Sequence, residues 1–152
     1  MEYLEHKKEA ISNLKIADHI LVMTYPIVQD PKLLKTILQW LYLAVENAMA
    51  SLLYYEKEKR KISAFNPSYV AMLEIIRTSL IKYNISPNYL IFLHELNDIY
   101  QLQKKSDIEF IRKEKFVFTN KDYKLNTITK KDMKKYIIKG KLFIKEISDV
   151  IK

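Results

Sequence analysis

Cysteine is absent from this sequence of 152 residues, glycine occurs once and proline four times. Without cysteine there are no disulfides, no thiolate metal sites and no thiol nucleophile, and a reducing compartment, the cytoplasm, is the natural setting. With Gly140 alone, no glycine-rich loop can close its backbone on a phosphate, which excludes P-loop and dinucleotide-fold enzymes. No motif implies a cofactor. Long apolar runs are missing as well. The longest uncharged apolar stretches, 20–28 and 36–45, are about half the roughly 20 residues needed to cross a bilayer, so no membrane span is expected. Glu2, Glu5 and Glu9 stand where a signal peptide would carry cations.

Arginine is the scarce cation. Lysine and arginine together number 26, but only Arg60, Arg77 and Arg112 are arginine. The charge is also unevenly placed. Up to residue 103 there are 11 basic and 11 acidic residues, and from Lys104 onward 15 and 7, so the whole net charge of +8 belongs to the last third. Such asymmetry points to a polyanionic partner, RNA or an acidic protein surface. Scarce arginine argues against bidentate, base-specific readout.

What is present is helix-forming sequence. At 49% hydrophobic content, 152 residues suit one domain, 1–152, with its own core. Asp30-Pro31, Asn66-Pro67 and Ser86-Pro87 each read as an N-cap followed by a proline in the first helical turn, and Thr129 with Asp132 reads as a capping box. These starts, with the N-terminal segment, predict helices over 2–24, 31–60, 67–83, 87–112 and 129–151. Short links favour an up-and-down bundle of about five helices, all-α in the main. Residues 115–119 and 123–128 are β-prone around Asn120, Lys121 and Asp122. A small hairpin is expected there, with Phe116, Phe118, Tyr123 or Leu125 packed on the bundle or on a partner.

The second helix is apolar nearly all round, which requires either a central position or a homodimer interface; a homodimer is the favoured expectation. The fifth helix divides cleanly. Met133, Ile137, Gly140, Phe143, Ile144 and Ile147 make an apolar arc, with Gly140 expected at a helix crossing. Lys130, Lys131, Lys134, Lys135, Lys139, Lys141 and Lys145 occupy the other side. Ile138 and Leu142 interrupt that lysine face, as a partner contact would.

Few residues suit acid–base chemistry. His6 and His19 point to different sides of one helix, so no metal site is expected. His94 and Asp98, at i,i+4 spacing, could form an oriented acid–base pair with Arg112 as anion stabiliser. Glu46 and Asn47, set in the apolar second helix, need partners if buried, and Arg77 is the cation expected for them.

The order of Ala44, Ala48, Leu52, Leu53, Tyr54 and Tyr55, then 96–100 (LNDIY) with 106–110 (SDIEF), then 136–143 (YIIKGKLF), resembles HEPN-domain proteins over residues 10–151. The resemblance implies a helical bundle that dimerises, in a family with many ribonucleases and toxin–antitoxin components. Its nuclease members carry an arginine followed four to six residues later by histidine. Arg112 stands near the corresponding place, but 117–119 are Val, Phe and Thr, and no arginine here has a histidine at that spacing. The expectation is therefore a non-catalytic binding or assembly module whose Lys-rich last third contacts RNA or another polyanion. The alternatives are a HEPN-like ribonuclease or toxin–antitoxin component, and a purely structural interaction domain covered by its partner at Ile138 and Leu142.

Overall fold

A computed structural model describes residues 1–120, 122 and 124–151. The chain forms a helical bundle with a small antiparallel sheet inserted before the last helix. Its first rod comprises α1 (Glu2–His19), a π-helical segment (Ile20–Thr24) and α2 (Tyr25–Val28). The π segment directly precedes Pro26, whose missing N–H cannot reach the Val22 carbonyl and whose ring would collide with it in regular α geometry. Widening the helix accommodates the proline. The rod therefore runs to Val28 rather than ending at residue 24, and Gln29 closes it in the left-handed region at φ 53.

Next come α3 (Lys32–Glu58), α4 (Tyr69–Lys82) and α5 (Tyr89–Lys104). Asp30 and Ser86 accept from the backbone N–H groups of Lys32 (3.0 Å) and Asn88 (3.2 Å), two residues on, in turns that lead into the helices, whose own N-cap positions fall at Pro31 and Asn88 and carry no side-chain cap bond. At α4 the cap moves: Asn66 bonds Ser68 N at 3.0 Å, and Ser68 itself caps the helix through Ala71 N. With almost no glycine, polar residues take the left-handed positions. Arg60 (φ 57) and Asn84 (φ 60) each close a Schellman motif, seen in Lys61 N to Glu56 O and Ile85 N to Leu80 O, at 2.9 and 2.8 Å.

The fourth helix stops at Lys104, not at residue 112. Residues 108–112 form β1 (Ile108–Arg112), which pairs antiparallel with β2 (Lys115–Thr119) across a turn at Lys113, and β3 (Asn126–Ile128) completes the order β1-β2-β3. Pairing with β2 overrides the helical periodicity of 108–112. Glu109 anchors the strand to the bundle through Lys35 at 2.9 Å and Gln103 at 3.0 Å. The expected hairpin is β2–β3, in which Phe116 faces Ile128; Lys121 and Tyr123 of its connection lie outside the described residues. Phe116 and Phe118 are buried against the helices, whereas Leu125 is exposed.

The last helix, α6 (Lys130–Val150), opens on the capping box of Thr129 and Asp132, with both hydrogen bonds present at 3.0 and 3.1 Å. It runs antiparallel to the first rod. Lys7 caps its C-terminal carbonyl at Ile151 (2.7 Å), Asp18 meets Lys141 (3.0 Å), and Tyr25 lies under Lys130. Within the bundle one pair departs from strict alternation. Tyr42 stacks on Tyr69 at 4.4 Å, while Glu56, one end further on, takes the Lys82 ammonium and the Tyr83 hydroxyl. So α3 and α4 run the same way, and the segment 59–68 carries the chain back about 20 Å along them.

Helix α3 is the central element. Leu34, Ile37, Leu41, Ala48 and Leu52 are fully buried, and on its other side Ala50 and Leu53 are buried too, against neighbours of the same chain. Leu43, on the same side, is 40% exposed. Tyr42 hydrogen-bonds Asn97 (3.0 Å) and stacks on Tyr100, binding α3 to α5; burial pushes its hydroxyl up to about 12. Asn47 meets His6 at 2.8 Å, and the His6 ring stacks on Tyr54. Arg77, expected as partner for Glu46 and Asn47, is exposed on α4, and Asn47 is engaged instead by His6 of α1. Glu46 is half-buried, and burial raises its carboxyl against the opposing pull of His6 and Lys104.

Candidate nucleic-acid interface

The lysine face of α6 divides into three groups once its neighbours are in place. Lys141 is paired with Asp18 and Lys145 with Asp149, both at 3.0 Å, so these two cations are partly neutralised. Lys139 is half-buried on the α5 side, in the groove with Tyr89 and Glu146. There burial and the Glu146 carboxylate push the Tyr89 hydroxyl up to about 12. Lys130, Lys131 and Lys134 belong to the first turns of the helix, and they converge with a lysine from the sheet, Lys115.

The four line a cleft of about 720 Å³, walled on the far side by Tyr25, Pro26 and Gln29 from the end of the first rod. Its construction follows from the elements. The pairing of Phe116 with Ile128 puts Lys115 beside Thr129, the N-cap of α6, and the antiparallel packing of the first rod brings Tyr25 to the same level. The Lys130 ammonium lies 5.9 Å from the Tyr25 ring centre, within cation–π range. Glu114 is the one acid on the wall, and it also raises the Tyr25 hydroxyl, after burial.

Electrostatics make this cluster unusual. A helix N-terminus carries about half a positive charge, so lysines there are worth about 0.3–1 kcal/mol each in the unfavourable direction. Asp132, at N3, is the only acid in the first turn. Two lysines in the first turn, with Lys134 just beyond it and a fourth cation brought to them by the sheet, form a cationic pocket that an anionic group would relieve.

The remaining expected residues are dispersed. Lys135 is exposed further along α6. Ile138 and Leu142 are 52% and 53% exposed on its outer ridge, uncovered within the chain. His94 and Asp98 are both exposed on α5, and no hydrogen bond or ion pair joins them. Arg112 stands at the end of β1, in a different groove with Lys113, Lys115 and Leu125. The structure does not bring His94, Asp98 and Arg112 together within one chain, so the arrangement provides a charged surface rather than a positioned acid, base and anion stabiliser. Among the described residues, no three histidine, aspartate or glutamate side chains converge as metal ligands would.

Sequence reasoning missed Lys115 and Tyr25. The usable signal was the β-prone 115–119 segment itself, since a hairpin that returns directly into Thr129 must set its first residue beside the start of the last helix. Comparison with protein-family models, with curated proteins and with solved structures finds no match to the chain.

Proposed function

We propose that the chain is a non-catalytic RNA-binding module that takes the phosphate backbone into the cleft at the start of α6. The observation that carries this reading is the convergence of Lys115, Lys130, Lys131 and Lys134 on one cleft at a helix N-terminus. Lysine supplies point charges without a planar fork, so the contact reads backbone rather than base edges. A HEPN-like relative lacking the arginine–histidine motif would suit such a role.

A filter-binding titration of generic single-stranded RNA against salt tests it. Four neutralised phosphates give a slope of log K on log salt of about −3, and each lysine removed lowers the magnitude by about 0.7. Lys130→Glu and Lys131→Glu weaken binding most, whereas Lys145→Gln, already paired with Asp149, changes it little. The same two glutamate variants raise the melting temperature, because each replaces a cation at the positive end of the helix by an acid. Binding that is absent at low salt, or that is indifferent to Lys130 and Lys131, refutes the proposal.

A further inference from the structure

One edge of the sheet is left open. In the order β1-β2-β3, β1 has no neighbouring strand on its outer side among the described residues, and all five of its residues are exposed, with Ile108 at 48%, Phe110 at 40% and Ile111 at 42%. Edge strands in monomers are commonly shielded by proline, an inward charge, a bulge or shortness. Residues 108–112 contain no proline, lysine or bulge; Glu109 is their one inward-facing charge, and Lys35 and Gln103 already engage it. The other edge, β3, has only three residues and leads directly into α6.

We propose that β1 pairs with β1 of a second copy of this chain across a twofold axis, joining two three-stranded sheets into one antiparallel sheet. Charge selects this occupant. Asp107 and Glu109 lie at the start of the strand and Arg112 and Lys113 at its end. Antiparallel self-pairing therefore sets acidic end against basic end, while parallel pairing would set like against like.

The faces of the sheet narrow the register further. Glu109 and Ile111 share the helix-covered face with their cross-strand partners Phe118 and Phe116, and Ile108, Phe110 and Arg112 share the other. A twofold axis normal to the sheet keeps these faces aligned only if it passes through a residue position. An axis at Glu109 would oppose two carboxylates. An axis at Phe110 leaves Glu109 against Ile111 and Arg112 against Ile108. An axis at Ile111 sets Phe110 against Arg112 of the second copy and the two Ile111 side chains opposite each other, and it brings the Lys113 turn near the Glu109 carboxylate of the second copy, which Lys35 and Gln103 already hold; this is the register we assign. Arg112 is the cross-strand partner of Lys115 and shares a groove with it, so the basic end of this interface adjoins the lysine cleft, and Lys130→Glu, which leaves β1 untouched, separates dimerisation from RNA binding.

Sedimentation and light scattering of nuclease-treated full-length protein, over a concentration series, test the pairing. The expected mass is twice that of the 18.2 kDa chain. Phe110→Lys and Ile111→Lys, at exposed positions, should give monomers with unchanged helical circular dichroism, and Lys113→Glu should weaken the dimer by placing two acids opposite each other. Lys130→Glu should dimerise as the wild type does. A wild type that stays monomeric throughout the series overturns the inference, as does a dimer whose mass is unchanged in Ile111→Lys, which would place the interface elsewhere.

Discussion

The only glycine supplies the sharpest test of the core. A Cβ built on Gly140 would lie 2.9 Å from Leu41 Cδ1, with Leu14 and Phe92 next at 3.8 and 3.9 Å. Carbon atoms prefer about 3.5–4.0 Å, so alanine at this position overlaps the Leu41 methyl. Leu41 is fully buried, but its methyl is the flexible end of a side chain, so the overpacking belongs at the lower end of the usual range, about 1–2 kcal/mol. Against this, alanine gains about 1 kcal/mol in helix propensity over glycine. Gly140→Ala should therefore destabilise the wild type by no more than about 1 kcal/mol, which is about 2–4 °C in Tm for a chain of this size. Leu41→Ala alone should cost about 2–5 kcal/mol. In that background the obstructing methyl is gone, and Gly140→Ala should stabilise by about 1 kcal/mol. The sign of one substitution reverses with the identity of a residue a hundred positions away. Urea denaturation of the four proteins, followed by circular dichroism, measures the cycle. If Gly140→Ala has the same effect in both backgrounds, Leu41 is not what holds the position at glycine.

Two further outcomes follow from local geometry. Arg60 sits at the C′ position of α3 with φ 57, a left-handed conformation that costs a non-glycine residue about 1–2 kcal/mol, so Arg60→Gly should raise the urea midpoint; a fall would mean that the arginine side chain makes a stabilising contact. The tyrosines make the fold sensitive to alkali. Burial pushes Tyr42 and Tyr89 from the ordinary 10.0 up to about 12, and Tyr69 is raised well above it. Because the folded values exceed the unfolded one, the stability these groups contribute is complete below pH 10 and is lost as pH rises through about 12. Melting temperatures should fall over that interval while tyrosinate absorbance lags behind that of the unfolded chain. A melting temperature that is constant to pH 12 would contradict the burial of these hydroxyls.

How much of the fold was legible depended on whether a segment's structure is decided locally. The cap at Thr129 and the apolar arc of α6 are local features, and both are found where the sequence placed them. The centrality of α3 was also readable, because a helix apolar on every side must be covered, although whether by its own chain or by another was open. The misreadings are tertiary. Residues 108–112 fit helical periodicity as well as strand alternation, and only pairing with β2 selects the strand. The parallel α3–α4 pair was hidden because the link, read as 61–66, in fact runs from 59 to 68 and is long enough to travel the length of its neighbours. Pro26 lies in a helix whose π segment no periodicity announces.

The candidate site was half legible, for a reason that lies in the difference between a helix and a surface. A helical wheel assigns each lysine an angle but no neighbour, so Lys130, Lys141 and Lys145 read as members of one face. In the folded chain their partners differ: Asp18 and Asp149 take up two of them, while Lys130 looks across a cleft at Lys115, a residue fifteen positions earlier in another element. Charge that is periodic in sequence is thus sorted by packing into neutralised and available portions. The available portion lies at the end of the helix where cations are least stable. A cluster set against its own helix dipole, with Glu114 the one acid on its wall and no ion pair to it among the described residues, is a stronger argument for an anionic ligand than the net charge of the whole chain, because a surplus of dispersed surface lysines needs no partner.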